Sequence, residues 1–313
     1  MKLAGSMVAL VTPFRDGEVD EGALKRLIDW HVQQGTSALV PCGTTGESAT
    51  LSHEEHDRVI ELTVQAARGR IPVIAGTGSN NTREAVRLTH HAKVAGADAA
   101  LLISPYYNKP TQRGLYLHFK AVAEAVDLPI VVYNIASRTA VNIEPETFAQ
   151  LAAIKNIVAV KESSGSLEQM SRILQATQGR LTLISGDDAL TLPVLAIGGT
   201  GVISVAANLV PRDVAAMVRA FQAGRQEEAL EGHRKLLPLI RALFVETNPI
   251  PVKTAMGLLG MCSPELRLPL CEMSEANVLR LKTALKEYGL LKNNTSSGSR
   301  KSEVGSRKKR QRV

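Results

Sequence analysis

The sequence predicts a (β/α)8 barrel, a ring of eight parallel strands each followed by a helix, on three observations. Short β-branched, apolar runs alternate with amphipathic stretches along the first 210 residues. There are eight such runs, and eight strands are enough to close a barrel. None of them is polar enough to suit the exposed edge of an open sheet. We therefore favour a closed barrel over a doubly wound open sheet.

The predicted strands are almost continuously apolar, which is typical of parallel strands covered by helices. They span residues 7–14, 37–43, 71–78, 97–105, 128–134, 157–163, 181–188 and 201–208. The stretches between them keep apolar residues three or four positions apart, which indicates helices with one buried face. Glycines that suit a left-handed C-cap follow three of these helices: Gly35, Gly69 and Gly96.

The chain divides into three predicted segments. Residues 1–224 form the barrel, and the pattern from Val210 onward is helical throughout, so residues 225–292 form a helical segment packed on it. Such a segment often serves stability or oligomerisation. Residues 293–313 are rich in Ser, Asn, Lys and Arg, have almost no apolar residue, and are expected to be disordered.

The net charge of +7 comes mainly from this tail, which carries seven Lys or Arg and one Glu. The preceding 292 residues hold 30 basic and 29 acidic residues, so the body is nearly neutral. A cluster such as RKKRQR can bind nucleic acid or act as a targeting signal. Because nothing in the body cooperates with it, we favour an extension without such a role and expect no nucleic-acid partner.

Compartment and metal content are also constrained. No apolar run reaches the roughly 18 residues that a membrane span requires. The N-terminal apolar run ends at Pro13, too early for a secretory signal. Three cysteines, Cys42, Cys262 and Cys271, have no metal-ligand spacing and cannot all pair. We therefore expect a cytoplasmic protein without a metal site or a membrane anchor.

Active sites of closed βα barrels lie where the strands end, and Lys161 ends one of the most apolar strands. If Val160 faces the helices, Lys161 points into the barrel mouth. A poorly solvated ammonium loses its proton readily, and the neutral amine is a nucleophile towards a carbonyl. The alternative is a lysine that extends to solvent or pairs with Glu162.

Two other strand ends, those of the second and fifth predicted strands, carry compatible groups. Gly43 and Gly46 free the backbone between them to turn its N–H groups inward, and Thr44 and Thr45 add hydroxyls. The result is a small anion cradle suited to a carboxylate, unless it is an ordinary glycine-rich turn. Tyr133 supplies a phenol that can donate and accept a proton, although buried tyrosines more often serve packing.

Several motifs occur together in one order: ALVTPF, GTTGES, SPYYNKPTQ, YN-x-x-x-RT, VKESSG and GTGVISVAAN. In this combination the chain resembles the dihydrodipicolinate synthase/N-acetylneuraminate lyase family of class I aldolases. The likeness spans roughly Leu3 to Gly289. It implies a (β/α)8 barrel enzyme, a lyase that holds pyruvate as a Schiff base.

The resemblance implies a role for each active-site residue. Lys161 forms the pyruvate imine, and Thr44 and Thr45 hold the pyruvate carboxylate. Tyr133 moves protons in a hydroxyl relay with Thr44 and with Tyr107, which a neighbouring subunit lends. The family therefore implies at least a dimer, usually a homotetramer built as a dimer of dimers. No organic cofactor is expected, because the Schiff base itself is the electron sink.

The second substrate is expected to be L-aspartate 4-semialdehyde, in lysine and diaminopimelate biosynthesis. The resemblance assigns its carboxylate to Arg138, whose guanidinium suits two oxygens, and places Gly186 and the Ile203 carbonyl at the pyruvate pocket. The chain departs from the family at Ala136, commonly Pro, so the loop before Arg138 is less fixed. The alternative with the same imine chemistry is a sugar-acid aldolase of the N-acetylneuraminate or 2-keto-3-deoxygluconate type.

His53 and His56 are three apart, whereas the zincin motif places its histidines four apart. We predict instead a helix start in which Ser52 and Glu55 form a capping box. The resemblance also implies an allosteric pocket for L-lysine, a feedback inhibitor. Its residues are Ser48, Ala49, His53, His56, Asn80, Glu84 and Tyr106. In it Glu84 binds the α-ammonium, Tyr106 and Asn80 the carboxylate, and the histidines the side-chain end.

Two hypotheses from other classes stay open at this point. A non-catalytic barrel could bind a keto acid or a protein partner, but the complete set of reactive side chains argues against it. A nucleic-acid-binding protein could act through the basic tail, and deletion of residues 293–313 followed by a mobility-shift assay tests that hypothesis.

Overall fold

The computed structural model describes residues 3–292. The tail at residues 293–313, for which the sequence predicts disorder, lies outside the described residues, as do Met1 and Lys2.

Eight parallel strands form the centre of the fold; seven lie within their predicted ranges, and the first begins two residues before its predicted range of 7–14 and ends at Ala9. They are β1 (Gly5–Ala9), β2 (Ala38–Val40), β3 (Ile74–Gly76), β4 (Ala99–Ile103), β5 (Ile130–Asn134), β6 (Ile157–Glu162), β7 (Thr182–Ser185) and β8 (Gly201–Ser204). Their order in the sheet is β2-β1-β8-β7-β6-β5-β4-β3. A parallel bridge between Leu39 and Val73 joins the two ends, which closes the ring. The predicted (β/α)8 barrel is confirmed.

Helices surround this ring. They are α1 (Glu21–Gln34), α2 (His53–Ala67), α3 (Thr82–Ala95), α4 (Gln112–Ala125), α5 (Ala136–Thr139), α6 (Pro145–Leu151), α7 (Leu167–Thr177), α8 (Thr191–Ala196), α9 (Pro211–Gln222), α10 (Gln226–Leu243), α11 (Ile250–Leu258) and α12 (Glu275–Glu287). Short 3-10 turns lie at Ser48–Thr50 and Ala206–Asn208, and a hairpin pairs Phe14–Arg15 with Glu18–Val19. Between residues 3 and 292, no helix combines the length and apolarity needed to cross a bilayer.

Left-handed residues end several helices, as the sequence predicts. Gly35 (φ 77°) and Gly96 (φ 90°) are the C-caps of α1 and α3. At the end of α2 the prediction is off by one residue, because Arg68 (φ 50°) is the cap and Gly69 follows it. Both are left-handed, so the chain turns away where expected.

The prediction of continuous helix after Val210 is wrong at residues 244–249, between α10 and α11, and in the longer irregular stretch at residues 259–274, between α11 and α12. This stretch contains Pro264 and Pro269, which restrict the chain to non-helical conformations around them. Helices α10 to α12 share one hydrophobic core with the barrel: Leu239, Val252 and Leu281 belong to the same buried cluster as Val8 and Leu39. The C-terminal segment is therefore positioned to reach the strand ends.

We predict that Gly201→Ala destabilises the barrel where β8 meets β1. Gly201 lies opposite Gly5 in the register, and an added Cβ would overlap the Gly5 carbonyl oxygen. Overpacking of this kind lowers the free energy of unfolding by about 1–3 kcal/mol, sometimes more. Urea unfolding should show a lower midpoint. The matched control is Gly22→Ala in α1, where the nearest atoms lie 3.4 Å from the added Cβ. An unchanged midpoint in Gly201→Ala would contradict the tight approach of these two strands.

Candidate active site

Lys161 is the penultimate residue of β6 and points into the barrel. Its neighbour Val160 lies in the buried layer between strands and helices, together with Phe148 and Met170. Ala159, two residues earlier, belongs to the cluster inside the ring. Because side chains alternate along a strand, Lys161 faces inward as Ala159 does. Its side chain is only 6% exposed.

Burial controls the protonation of Lys161. It lowers the pKa of the ammonium to about 7, a shift that the nearby Asp188 carboxylate opposes and Arg138 reinforces. Nζ lies 4.0 Å from the centre of the Tyr133 ring. No carboxylate among the described residues lies within salt-bridge distance of it. A substantial fraction of Lys161 is therefore a neutral amine near pH 7.

Glu162 does not pair with Lys161, although the two are adjacent in sequence. Its wholly buried carboxylate accepts hydrogen bonds from Asn134 Nδ2 (2.7 Å) and Gln169 Nε2 (2.8 Å) on one oxygen. The other oxygen accepts from the backbone N–H (2.9 Å) and hydroxyl (2.8 Å) of Ser164. Both carboxylate oxygens of Glu162 are therefore occupied by other donors, and Glu162 forms no ion pair with Lys161.

Tyr133 lies beside Lys161, because β5 and β6 pair these two residues in register. Burial raises the pKa of the phenol to about 12, and the hydroxyls of Ser163 and Thr44 oppose that shift, as does Arg138. Tyr133 therefore keeps its proton near neutral pH. It can donate that proton to an atom that gains negative charge and recover it later.

Gly186 and Ile203 lie at the ends of the next two strands. A Cβ on Gly186 would overlap the Ser163 hydroxyl and lie 2.9 Å from Cε of Lys161. Only glycine lets the backbone approach the lysine this closely. Ile203 is buried inside the ring with Tyr133, and Asp188 fixes the end of its strand through the backbone N–H of Val205 (2.9 Å) and the Ser204 hydroxyl.

The Gly43–Gly46 turn closes on itself. The N–H of Gly46 donates to the carbonyl of Gly43 at 3.1 Å, and Thr12 Oγ1 donates to the Gly46 carbonyl at 2.7 Å. Thr44 lines the cavity described below, whereas Thr45 is buried and its hydroxyl accepts a hydrogen bond from Asn248 Nδ2 at 3.0 Å. The turn therefore presents hydroxyl and backbone donors from a fixed frame.

Arg138 lies on α5, which Ala136 begins without the proline common in the family resembled. Its Nη2 donates to the carbonyl of Asn248 at 3.1 Å, which leaves other N–H groups of the fork for a ligand. Asn248 therefore joins Thr45 to Arg138, and its Oδ1 is buried with no hydrogen-bond partner in the part of the chain described. Asn248 is not among the residues that the sequence predicts for the site, because no motif marks it and its partners lie 203 and 110 residues away.

A cavity of about 450 Å³ opens over these groups. Thr44, Tyr133, Arg138 and Asn248 line one part of it. The other part is lined by six of the seven residues assigned to a lysine pocket: Ser48, Ala49, His53, His56, Glu84 and Tyr106. Lys161, Thr45, Gly186 and Ile203 are not among the residues that line it, whereas Tyr133, whose ring centre lies 4.0 Å from Nζ of Lys161, is.

The assigned lysine-pocket residues are linked by hydrogen bonds. His53 Nε2 lies 2.7 Å from Oε1 of Glu84, and Asn80 Nδ2 donates to the Tyr106 carbonyl at 3.2 Å. Burial lowers the pKa of His56 to about 4, so this imidazole is neutral at physiological pH. Ser52 and Glu55 form the predicted capping box. Within residues 3–292, no group of three or more His, Cys, Asp or Glu side chains could hold a metal ion.

Tyr107, which the resemblance assigns to the active site, is not buried with Lys161 in its own chain. Its side chain is 89% exposed. Its φ of 72° is left-handed, a conformation that residues with side chains seldom adopt. The loop therefore directs this phenol away from the site of its own chain.

A buried, partly neutral lysine at a strand end, beside a phenol and a turn rich in hydroxyls, defines a (β/α)8-barrel enzyme of the Schiff-base-forming lyase class. The chain belongs to the dihydrodipicolinate synthetase family, whose model matches residues 2–288.

Individual relatives agree with this assignment. The chain is 57% identical over 287 residues to the 4-hydroxy-tetrahydrodipicolinate synthase of Geotalea uraniireducens, covering 92% of this chain and 99% of that one. It is similar to the dihydrodipicolinate synthase of Acinetobacter baumannii solved with pyruvate (TM-score 0.91, 45% identity, 93% and 100% covered). The enzyme of Cyanidioschyzon merolae, solved with lysine bound, gives a TM-score of 0.90 (44% identity, 92% and 99% covered). These relatives favour the synthase over the sugar-acid aldolase.

We predict that pyruvate modifies Lys161 faster as pH rises through about 7. The amine must be neutral to attack a carbonyl, and its lowered pKa of about 7 places that change near neutrality. Trapping with cyanoborohydride should be slow at pH 5.5, half-maximal near pH 7 and constant above pH 8. An exposed lysine, with an unperturbed pKa of about 10.4, would show no plateau in this range. A midpoint above pH 9 would contradict the buried environment described for Lys161.

Proposed function

We propose that this chain catalyses the reaction of the 4-hydroxy-tetrahydrodipicolinate synthases, the condensation of pyruvate with L-aspartate 4-semialdehyde in lysine and diaminopimelate biosynthesis. The observation that carries the proposal is Lys161, an inward-facing amine with a pKa lowered to about 7. The 57% identity to a curated synthase over nearly the whole chain supports the choice of substrates.

In the first step, the neutral Nζ of Lys161 attacks the keto carbon of pyruvate. The keto oxygen takes up protons and leaves as water, and a carbon–nitrogen double bond replaces the carbonyl. Tyr133, protonated near neutral pH and in register with Lys161, can donate a proton to that oxygen and recover one afterwards. Thr44 and Thr45, on the closed Gly43–Gly46 turn, can receive the pyruvate carboxylate. No organic cofactor is needed, because the protonated imine withdraws electrons.

In the second step, the imine loses a methyl proton and becomes an enamine, whose carbon attacks the aldehyde carbon of the semialdehyde. The aldehyde oxygen becomes the 4-hydroxyl group by taking a proton, for which Tyr133 and Thr44 provide a path. Arg138 has free N–H groups for the semialdehyde carboxylate. The amino group of the semialdehyde then displaces Lys161 from the imine carbon, which closes the ring and frees the enzyme.

A neighbouring subunit completes the relay in this proposal. Because the Tyr107 side chain is 89% exposed in its own chain, we infer that it reaches the site of a second copy of the chain. We also infer a homotetramer built as a dimer of dimers. In each tight dimer, each subunit would supply its Tyr107 to the active site of the other. We also infer a cytoplasmic location, since all three cysteines are unpaired and a reducing compartment keeps thiols in that state.

We further infer that L-lysine inhibits the enzyme by binding where Glu84, His53 and Tyr106 line the cavity. The structure of the Cyanidioschyzon merolae relative, which was solved with lysine bound, supports a lysine site. The hydrogen bond from Ser79 lowers the pKa of the Glu84 carboxyl, burial opposes this shift, and the hydrogen bond with His53 reinforces it. The resulting carboxylate suits an ammonium ligand.

Reductive trapping tests the proposed function. Borohydride with pyruvate should leave a covalent adduct on the peptide that contains Lys161, found by peptide mass mapping. Lys161→Ala should form none and lose activity by about three orders of magnitude or more. Lys155→Ala, which removes an exposed lysine just before β6, should behave as wild type.

The substrate choice is tested in the same preparation. Pyruvate should be consumed when L-aspartate 4-semialdehyde is added, and N-acetylneuraminate or 2-keto-3-deoxygluconate should not be cleaved. An adduct on another lysine would contradict the role of Lys161. Cleavage of a sugar acid without reaction of the semialdehyde would contradict the assigned substrates.

We predict that millimolar L-lysine lowers the activity at least twofold, and that Glu84→Gln weakens this inhibition. Loss of one charge-assisted hydrogen bond raises the inhibitory concentration roughly tenfold or more. Glu61→Gln is the matched control, because Glu61 lies on the neighbouring helix α2 and does not line the cavity. Activity that lysine leaves unchanged would remove the regulatory role, and equal loss of inhibition in both variants would remove the assignment to Glu84.

A further inference from the structure

A completely buried ion pair lies behind the carboxylate-binding turn, and the proposed chemistry does not use it. Glu47 directly follows the Gly43–Gly46 turn, and Lys253 belongs to α11 in the C-terminal segment. Lys253 Nζ lies 2.6 Å from Oε1 of Glu47, and neither side chain has any exposed surface. Removing two charges from water is costly unless good geometry and further hydrogen bonds compensate. The contacts of this pair therefore indicate what it stabilises.

Further contacts satisfy both members of the pair. Lys253 Nζ also donates to the backbone carbonyl of Thr12 at 3.0 Å and lies 4.2 Å from the centre of the Phe14 ring. The second carboxylate oxygen of Glu47 accepts the backbone N–H of Arg267 at 3.2 Å. The pair thus joins three parts of the chain: the stretch after β1, the turn after β2 and the C-terminal segment.

These contacts converge on the residue that ends the turn. Glu47 has a φ of 52°, in the left-handed region that few residues with side chains occupy. Such a conformation persists only when its surroundings fix it. The N–H of Glu47 donates to the carbonyl of Thr44 at 3.1 Å, so the backbone of Glu47 and the turn are held together. Thr12, which binds Lys253 through its carbonyl, binds the Gly46 carbonyl through its hydroxyl at 2.7 Å.

We propose that Glu47 and Lys253 are positioning residues for pyruvate: their buried ion pair holds the Gly43–Gly46 turn in the conformation that receives the pyruvate carboxylate. The role rests on the proposed function, which assigns that carboxylate to the turn. Both charged side chains are fully buried, although Glu47 is one of the residues around the cavity. The pair acts on pyruvate indirectly, through the positions of Thr44 and Thr45. Helix α11, which carries Lys253, therefore contributes to the binding of the keto acid.

The test is the variant Lys253→Met, which keeps an apolar stem of similar length and removes the ammonium donor. The pyruvate concentration for half-maximal trapping on Lys161, and KM for pyruvate, should rise roughly tenfold, as expected for one lost charge-assisted hydrogen bond. The value of kcat and KM for the semialdehyde should stay within about twofold of wild type. The guanidinium of Arg138 donates to the backbone carbonyl of Asn248, and its link to the turn is indirect, through the Asn248 side chain and Thr45.

Two variants guard against a folding defect. Glu47→Gln keeps an oxygen acceptor for Lys253 and should give a smaller rise than Lys253→Met. The double variant Glu47→Gln/Lys253→Met leaves no unpaired buried charge, so it should fold and still show the raised pyruvate requirement. The matched control is Lys235→Met, which breaks the exposed 2.7 Å pair with Asp213 and should leave both KM values unchanged.

The outcomes separate this role from the proposed function. A wild-type enzyme that forms no pyruvate adduct would overturn the proposed function, and the positioning role with it. A wild-type adduct together with an unchanged pyruvate requirement in the double variant would overturn only the positioning role. The same holds if KM rises by equal factors for both substrates, because that pattern indicates general loss of structure.

Discussion

The removal of one ammonium group from water is the constraint on which the rest of this site depends. Lys161 can serve as a nucleophile only if its surroundings disfavour the charged form, and a nearby paired carboxylate would restore it. The fold prevents such pairing by engaging Glu162 in four hydrogen bonds with Asn134, Ser164 and Gln169. Asp188 is the carboxylate that acts most strongly on Lys161, and it is occupied by donors at the end of β8.

The turn that is proposed to bind the substrate carboxylate is also supported by residues from distant parts of the chain. A short turn cannot fix its own hydroxyls, so Asn248 binds Thr45 and Lys253 binds Glu47. Both supporting residues come from the C-terminal segment. Its sequence suggests a packing or oligomerisation element, whereas its contacts also tie it to the strand ends. The candidate lysine pocket begins at Ser48, immediately after Glu47, and shares one cavity with Thr44 and Tyr133.

The sequence predicts the barrel well because its signals are local. Each strand is an apolar run between helices of period 3.6, and the ends of α1 and α3 coincide with Gly35 and Gly96. Lys161 is also visible locally, as a charge at the end of Ile157–Val160. The roles of Asn248 and Lys253 are not visible in this way, because their partners lie more than 100 residues away. The irregular stretch after α11 is a similar case. Its prolines interrupt the helix, but the path that the chain then follows is set by tertiary packing.

The two buried lysines show why local sequence could identify one role and miss the other. Lys161 in VAVKES and Lys253 in IPVKTAM both follow apolar residues, and burial lowers the pKa of both. Their partners differ: Glu47 lies 2.6 Å from Lys253 and opposes the shift, whereas Lys161 has no carboxylate within salt-bridge distance among residues 3–292. The same side chain is therefore a structural cation in α11 and a reactive amine in β6. What separates the two roles is the tertiary position of one carboxylate, which no run of neighbouring residues specifies.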